Sequence, residues 1–185
     1  MPEDPPLSSD EKHILLGLAR ATLEARLART ALPSLHPGPG PLTDLRGAFV
    51  TLTRGGELRG CIGHVEGVVP LWRSVQDNAI AAALHDPRFP PLTAGELAEV
   101  HIEISALSPL REARSPEEIE VGRHGILLER GPRRGLLLPQ VATEWGWDRE
   151  TFLDHTCRKA GLPSGAWREP DVRILIFSAE VFGED

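Results

Sequence analysis

Apolar and polar positions along the chain alternate in two rhythms, one of helices and one of strands. Leu15, Leu18, Ala19, Leu23 and Leu27 fall at helical spacing behind a capping box of Ser8 and Glu11. This predicts an amphipathic helix over 9–31, preceded by a disordered tail over 1–8. Pro33 to Pro41 contains four prolines and two glycines and predicts an extended connector. Gly47 to Thr53 is rich in β-branched and apolar residues. Gly55 and Gly56 supply the two positive-φ positions of a tight turn, and Glu57 to Ile62 returns as a second strand.

Pro70 opens a second helix, whose slim face of Leu71, Val75, Ala79, Ala82 and Ala83 lets a neighbour pack closely. The helix must stop before Pro87, and the three prolines between His85 and Leu92 make a stiff loop. Thr93 and Glu96 form another capping box. Val100 to Leu107 alternates, with Val100, Ile102, Ile104 and Ala106 on one face, as in a strand with one buried side. Ser115, Pro116 and Glu118 cap a short helical start. Gly125 to Arg130 and Gly135 to Leu138 predict a second hairpin around Gly131 to Arg134. A short helix is expected after Pro139. Asp148 caps another, with Phe152, Leu153, Thr156, Cys157 and Ala160 inward and Gly161 at its end. Val172 to Val181 is apolar on both sides and predicts a central buried strand. Helices and hairpins are interspersed without a regular strand–helix repeat. The fold class expected is therefore α+β, a two-layer body with an antiparallel or mixed sheet and helices.

Composition narrows the function classes. With 185 residues and 41% hydrophobic content, the chain can bury one domain's core. A net charge of −7 argues against a general nucleic-acid or anionic-membrane binder. Cys61 and Cys157 are the only cysteines, too few for a disulfide framework or a four-cysteine zinc site. The acidic start MPEDPPLSSDEK lacks the pattern of a signal peptide, and no apolar run approaches the ~20 residues of a membrane helix. The expectation is a soluble cytoplasmic protein with reduced thiols, and no metal or cofactor is called for.

The candidate chemistry centres on the first hairpin. Side chains alternate along a strand, so Arg59 and Cys61 are expected on one face, with Gly60 and Gly63 leaving open space around the thiol. A cation on that face favours the thiolate, the reactive form of cysteine. The competing reading is a small buried hydrophobe, which is the reading preferred for Cys157. His124, between Gly122 and Gly125, can approach a cleft as acid, base or ligand, or be an ordinary exposed histidine. Asp86 and Arg88 bracket Pro87: Asp86 reads as the cap of a turn, and Arg88 as a loop anchor or an anion binder. His64 and Glu66 form H-x-E without the P-C-x-x-C that a zinc deaminase needs. His101 and Glu103 share a strand face, either as an acid–base pair or as a solvated surface.

LRGCIG at Leu58 to Gly63 resembles the signature of the AMMECR-one domain family. DPRFPPL at Asp86 to Leu92, GRHGI at Gly122 to Ile126, LLPQVATEWGWD at Leu137 to Asp148 and RKAGLP at Arg158 to Pro163 match in the same order. Together they span the chain from about Gly47 to its end. The resemblance is to the prokaryotic form, protein A of AmmeMemoRadiSam systems. It implies a two-layer α+β body with a smaller lobe, here over 9–183, and leaves open whether that lobe is inserted in it. It also implies one component of a three-part system with a Memo-like protein and a radical SAM protein as partners. The family name carries no established reaction.

Two function classes stay open. One is an enzyme or enzyme subunit acting on a small anionic or nucleotide-like substrate. Cys61 is then nucleophile or redox thiol and His124 a general base, with Arg59, Gly60, Gly63 and Arg88 binding substrate. The other is a non-catalytic binding or adaptor module in which LRGCIG shapes a docking or ligand cleft.

Overall fold

The computed structural model describes residues 6–185, and they divide into two compact units. The first holds the chain up to Pro109 together with Glu180–Asp185, and the second is Leu110–Ala179. The α+β class expected from the sequence is the class found. No helix among the described residues is long and apolar enough to cross a membrane.

In the first unit, helix α1 (Ser9–Ala28) starts at the predicted capping box: the Ser8 side chain accepts the Glu11 N–H while the Glu11 carboxylate reaches back. The helix ends at Ala28, three residues before the predicted end, and its cap Arg29 is in the left-handed conformation at φ 58°. Residues 1–5 of the expected tail lie outside the described residues. Its last two positions are tied down: Leu7 is buried and donates its N–H to Glu180, and Ser8 is the cap. The tail therefore does not extend to residue 8.

Strands β1 (Ala48–Arg54) and β2 (Glu57–His64) form the predicted hairpin, with Gly55 at φ 59° and Gly56 at φ 83° in the turn. Strand β3 (Val100–Leu107) pairs antiparallel with the other side of β1, so β2 is the edge. Helices α1 and α2 (Leu71–Leu84) cover one sheet face, where Val50, Leu52, Ile102 and Ile104 meet Leu15, Leu23, Val75 and Ala79 in one core. The small residues of α2 serve the close approach read from the sequence. A Cβ at Gly60 would collide with the Ala82 carbonyl of this helix.

In the second unit, β7 (Arg173–Gly183, of which 173–179 lie here) runs between the two-residue β4 (Arg111–Glu112) and β5 (His124–Arg130). β6 (Arg133–Leu137) completes the hairpin with β5. Helix α4 (Arg149–Lys159) is capped by Asp148, which accepts the Thr151 N–H. Together with short α3 (Pro139–Glu144) it covers this sheet. Phe152, Leu153 and Cys157 pack on Ile126, Leu128 and Ile176. β7 is less buried than its apolar run predicts: full burial is confined to Ile176 and Phe177, because the strand passes through the core only at its middle.

An aromatic-over-glycine pair recurs in both units. Phe49 is the cross-strand partner of Gly63, and Phe177 of Gly125, and in each case a Cβ on the glycine would collide with the phenyl ring. The missing side chain makes room for the ring to lie across the neighbouring strand.

Glycine contacts set clear expectations for stability. Gly60→Ala should destabilise the protein by about 2 kcal/mol or more, because the helix backbone cannot yield as a side chain could. Gly95→Ala, which meets nothing, should be neutral, and Gly17→Ala on the exposed side of α1 should stabilise by about 0.5–1 kcal/mol. Urea denaturation of the three variants checks this ranking.

Candidate functional site

The thiol of Cys61 lies on the face of the first unit's sheet opposite α1 and α2. Cys61 pairs with Thr51, and Thr51 with Glu103, so the three stand in one row across β2, β1 and β3. Cys61 is half-buried, and its sulfur accepts a hydrogen bond from the Thr51 hydroxyl at 3.3 Å. Phe49 over Gly63 closes one side of the row.

The peptide of Cys61 is held from the outer edge of β2 by the loop after α2. Asp86 Oδ2 accepts the Cys61 N–H at 2.9 Å, and Arg88 Nη2 donates to the Cys61 carbonyl at 3.3 Å. The two side chains are bound to each other, with Arg88 Nε at 3.0 Å from Oδ1 and Nη2 at 2.8 Å from Oδ2. Asp86 also accepts the Arg88 backbone N–H at 3.1 Å. The pair thus offers the edge strand an acceptor and a donor, as a further strand would. The Asp86 side chain is 1% exposed, while the Arg88 side chain is 55% exposed. Hydrogen bonds from Arg88 and then from the Cys61 N–H hold the Asp86 carboxyl well below the usual carboxylate range. Asp86 in turn raises the Arg88 pKa, and Cys61 adds a smaller Coulombic contribution in the same direction.

Arg59 does not stand beside Cys61. The β1–β2 register shifts between Leu52 and Thr53: Leu52 pairs with Gly60 and Thr53 with Leu58, which leaves Arg59 as the extra residue of a bulge. Leu58 therefore shares the face of Cys61. Arg59 is turned to Glu96, with Nε 3.1 Å from Oε1 and Nη2 3.3 Å from Oε2. Its side chain is only 11% exposed. That ion pair, with the Thr93 N–H and hydroxyl, pushes the Glu96 carboxyl down to about 2. Arg59 is a structural anchor for the loop before β3, and the cation next to the cysteine is Arg88. Gly60 and Gly63 also differ from expectation: their missing side chains are filled by the α2 backbone and the Phe49 ring, so neither opens space around the thiol.

His124 belongs to the second unit, where it is the first residue of β5 and is buried. Its Nδ1 accepts the Glu120 N–H at 3.1 Å, which places the proton of the neutral ring on Nε2. In that tautomer the ring is a donor, and the general-base role expected for it lacks a free lone pair. Cys157 is fully buried in the second core, and burial pushes its thiol up, as its inward helix position implied. His101 is bound through Nε2 to the Glu184 carbonyl, not to Glu103. Among the described residues no three His, Cys, Asp or Glu side chains are arranged to hold a metal ion.

The residue that sequence reasoning undervalued is Asp86. Its only sequence signal is the D-P-R turn, which reads as self-contained until the turn is found against β2.

The chain matches the AMMECR1 family model over residues 16–182 and belongs to that family. A protein of Methanothermobacter thermautotrophicus is 47% identical over 190 residues, covering 97% of both chains. One from Methanopyrus kandleri is 45% identical, covering 97% of this chain and 91% of that one. The crystal structure of an uncharacterised Pyrococcus horikoshii protein, 40% identical, superposes with a TM-score of 0.77 over 93% of this chain and 90% of that one.

The Asp86 clamp has a signed pH dependence. With its pKa lowered on folding, the carboxylate contributes stability that is complete above the unfolded value near 3.8 and is lost as pH falls toward the folded value. Asp86→Asn should lower Tm by several degrees at pH 7, and its deficit against the parent should shrink as pH drops below about 4. Circular-dichroism melts from pH 7 to pH 2.5 measure both effects.

Proposed function

We propose that this AMMECR1-family protein binds a small anionic or nucleotide-like compound on the sheet face that carries Cys61, and acts on it as a subunit of a modifying system. The observation that carries this reading is the pairing of the half-buried Cys61 with the half-exposed guanidinium of Arg88, held through the backbone N–H and carbonyl of Cys61 with the buried Asp86. Both backbone polar groups of the residue that carries the thiol are held, which suits a site that a ligand approaches. Thr51 gives the sulfur a donor, and Arg88 gives an incoming phosphate or carboxylate a cation with planar donors. In this reading Cys61 is the reacting group, Arg88 binds the anion, and Asp86 and Thr51 are positioning residues. Arg59 and His124 have no part in the chemistry. The resemblance of the sequence motifs to the prokaryotic form motivates the accompanying proposal that a Memo-like protein and a radical SAM protein are the partners.

Two measurements test the site. Iodoacetamide at neutral pH should modify Cys61 in the native protein well over tenfold faster than buried Cys157. A thermal-shift screen of nucleotides and phosphorylated metabolites should give stabilising ligands whose shift falls by more than half in Arg88→Gln and changes in Cys61→Ser. Equal labelling of the two thiols, together with ligand shifts indifferent to both substitutions, would overturn the reading. The partners are tested separately, by co-purification with the native chain.

A further inference from the structure

The second unit carries an aromatic platform that neither its core nor the Cys61 site uses. Trp145 caps the end of α3 and is 70% exposed, an unusual position for the largest apolar side chain. It is not a loose ring. Its indole stacks on that of Trp147, with centroids 6.2 Å apart and planes 18° from parallel. Trp147 stacks in turn on the His155 ring of α4, at 3.8 Å and 11°, and packs against the second core. Gly146, at φ 65°, makes the turn that brings the two indoles together. The stack runs from the core outward and ends in one open indole face.

The exposed charges next to Trp145 in the chain choose its ligand. Glu144 and Asp148 flank the W-G-W stretch and are both exposed. The Asp148 carboxyl lies below its usual range because it accepts hydrogen bonds from Thr151, so it is ionised at neutral pH. Arg149, the next cation along the chain, donates its Nε to the Ile119 carbonyl. An exposed indole with two exposed carboxylates within three residues of it in the chain attracts a cation and repels a phosphate chain, which sets a basic peptide above a nucleic acid as its ligand. The same unit shows the chemistry in miniature. The Arg168 guanidinium lies 3.8 Å over the Trp167 ring while its Nη2 pairs with Glu150 at 3.2 Å, so indole, guanidinium and carboxylate form one set. At Trp145 the indole and the carboxylates are present and the guanidinium is the member still to be supplied.

We infer that Trp145, with Glu144 and Asp148, is a docking site for an arginine side chain on an exposed segment of a partner protein. Arginine suits it better than lysine, because a planar guanidinium stacks on the ring and pairs with a carboxylate at once.

The test uses the full chain and an acetylated, amidated (Arg-Gly)3 hexapeptide, followed by NMR of the tryptophan indole N–H groups. The expected result is a saturable shift of the Trp145 signal, with affinity reduced about fivefold or more in Trp145→Ala. Trp145→Phe, which keeps an aromatic face, should recover part of the affinity, and Glu144→Gln should weaken binding about twofold. A (Gln-Gly)3 peptide should leave the signal unmoved. Absence of a shift, affinity unchanged in Trp145→Ala, or tighter binding of a six-nucleotide oligothymidylate to the same indole would overturn the inference. None of these outcomes bears on Cys61, whose reading stands or falls separately.

Discussion

One buried carboxylate ties the first unit's sheet to the loop that follows its second helix. Asp86 sits at the point where the chain leaves α2, and its two oxygens take hydrogen bonds from the Cys61 peptide, the Arg88 peptide and the Arg88 guanidinium. An unpaired carboxylate so deeply buried would be costly, so the arrangement holds only with the whole set in place. Edge strands expose unpaired peptide groups that invite pairing with other chains. At Cys61 both groups are already occupied, the N–H by Asp86 and the carbonyl by Arg88. The same contacts fix the backbone that carries the thiol, and the Thr51 hydroxyl bonds the sulfur itself. Protection of an edge and anchoring of the backbone that carries Cys61 are met by one turn.

The glycines of this region then have a common explanation in contact, not in flexibility. Gly60 admits the backbone of α2, and Gly63 admits the ring of Phe49. The inner contact sets how closely the helix approaches β2, and the outer one covers the strand beside the thiol. Cys61 lies between these two fixed points on an edge that Asp86 also holds. Three independent constraints acting on four consecutive residues leave little freedom for this stretch of backbone.

Much of the fold was legible in the sequence because its signals are local. The Ser8–Glu11 box, the Gly55–Gly56 turn, the alternation from Val100 to Leu107 and the Asp148 cap each depend on residues within a few positions, and each stands where it was read. The site was legible only in part. Cys61 was singled out, and the cation expected beside it was misplaced, because strict alternation of faces fails wherever a strand carries an extra residue. The bulge at Arg59 is set by the pairing partner, which no local pattern in LRGCIG reveals. Arg88 becomes the neighbour of Cys61 through a contact 27 residues away in the chain. The meaning of Gly60 and Gly63 likewise depended on what stands opposite them. The W-G-W stretch was quoted as part of a motif, and nothing in its spacing said that one indole would prop the other outward.

The misassigned arginine also clarifies what the bulge accomplishes. With regular pairing, Arg59 would lie on the Cys61 face, and a strong cation would sit beside the sulfur. The extra residue instead sends it to Glu96, where it closes a network with Arg54 and the Thr93 turn ahead of β3. That network fastens the far end of the hairpin to the strand beyond β1. Leu58 takes the vacated place beside Thr53 and Cys61, so the row around the thiol is apolar at one end and hydroxylic at its centre. The only guanidinium bound to the Cys61 peptide is then Arg88, which comes from outside the sheet and remains more than half exposed. A cation so placed can exchange solvent for an anionic group while its hydrogen bonds to Asp86 persist, whereas Arg59, enclosed with Glu96, could not.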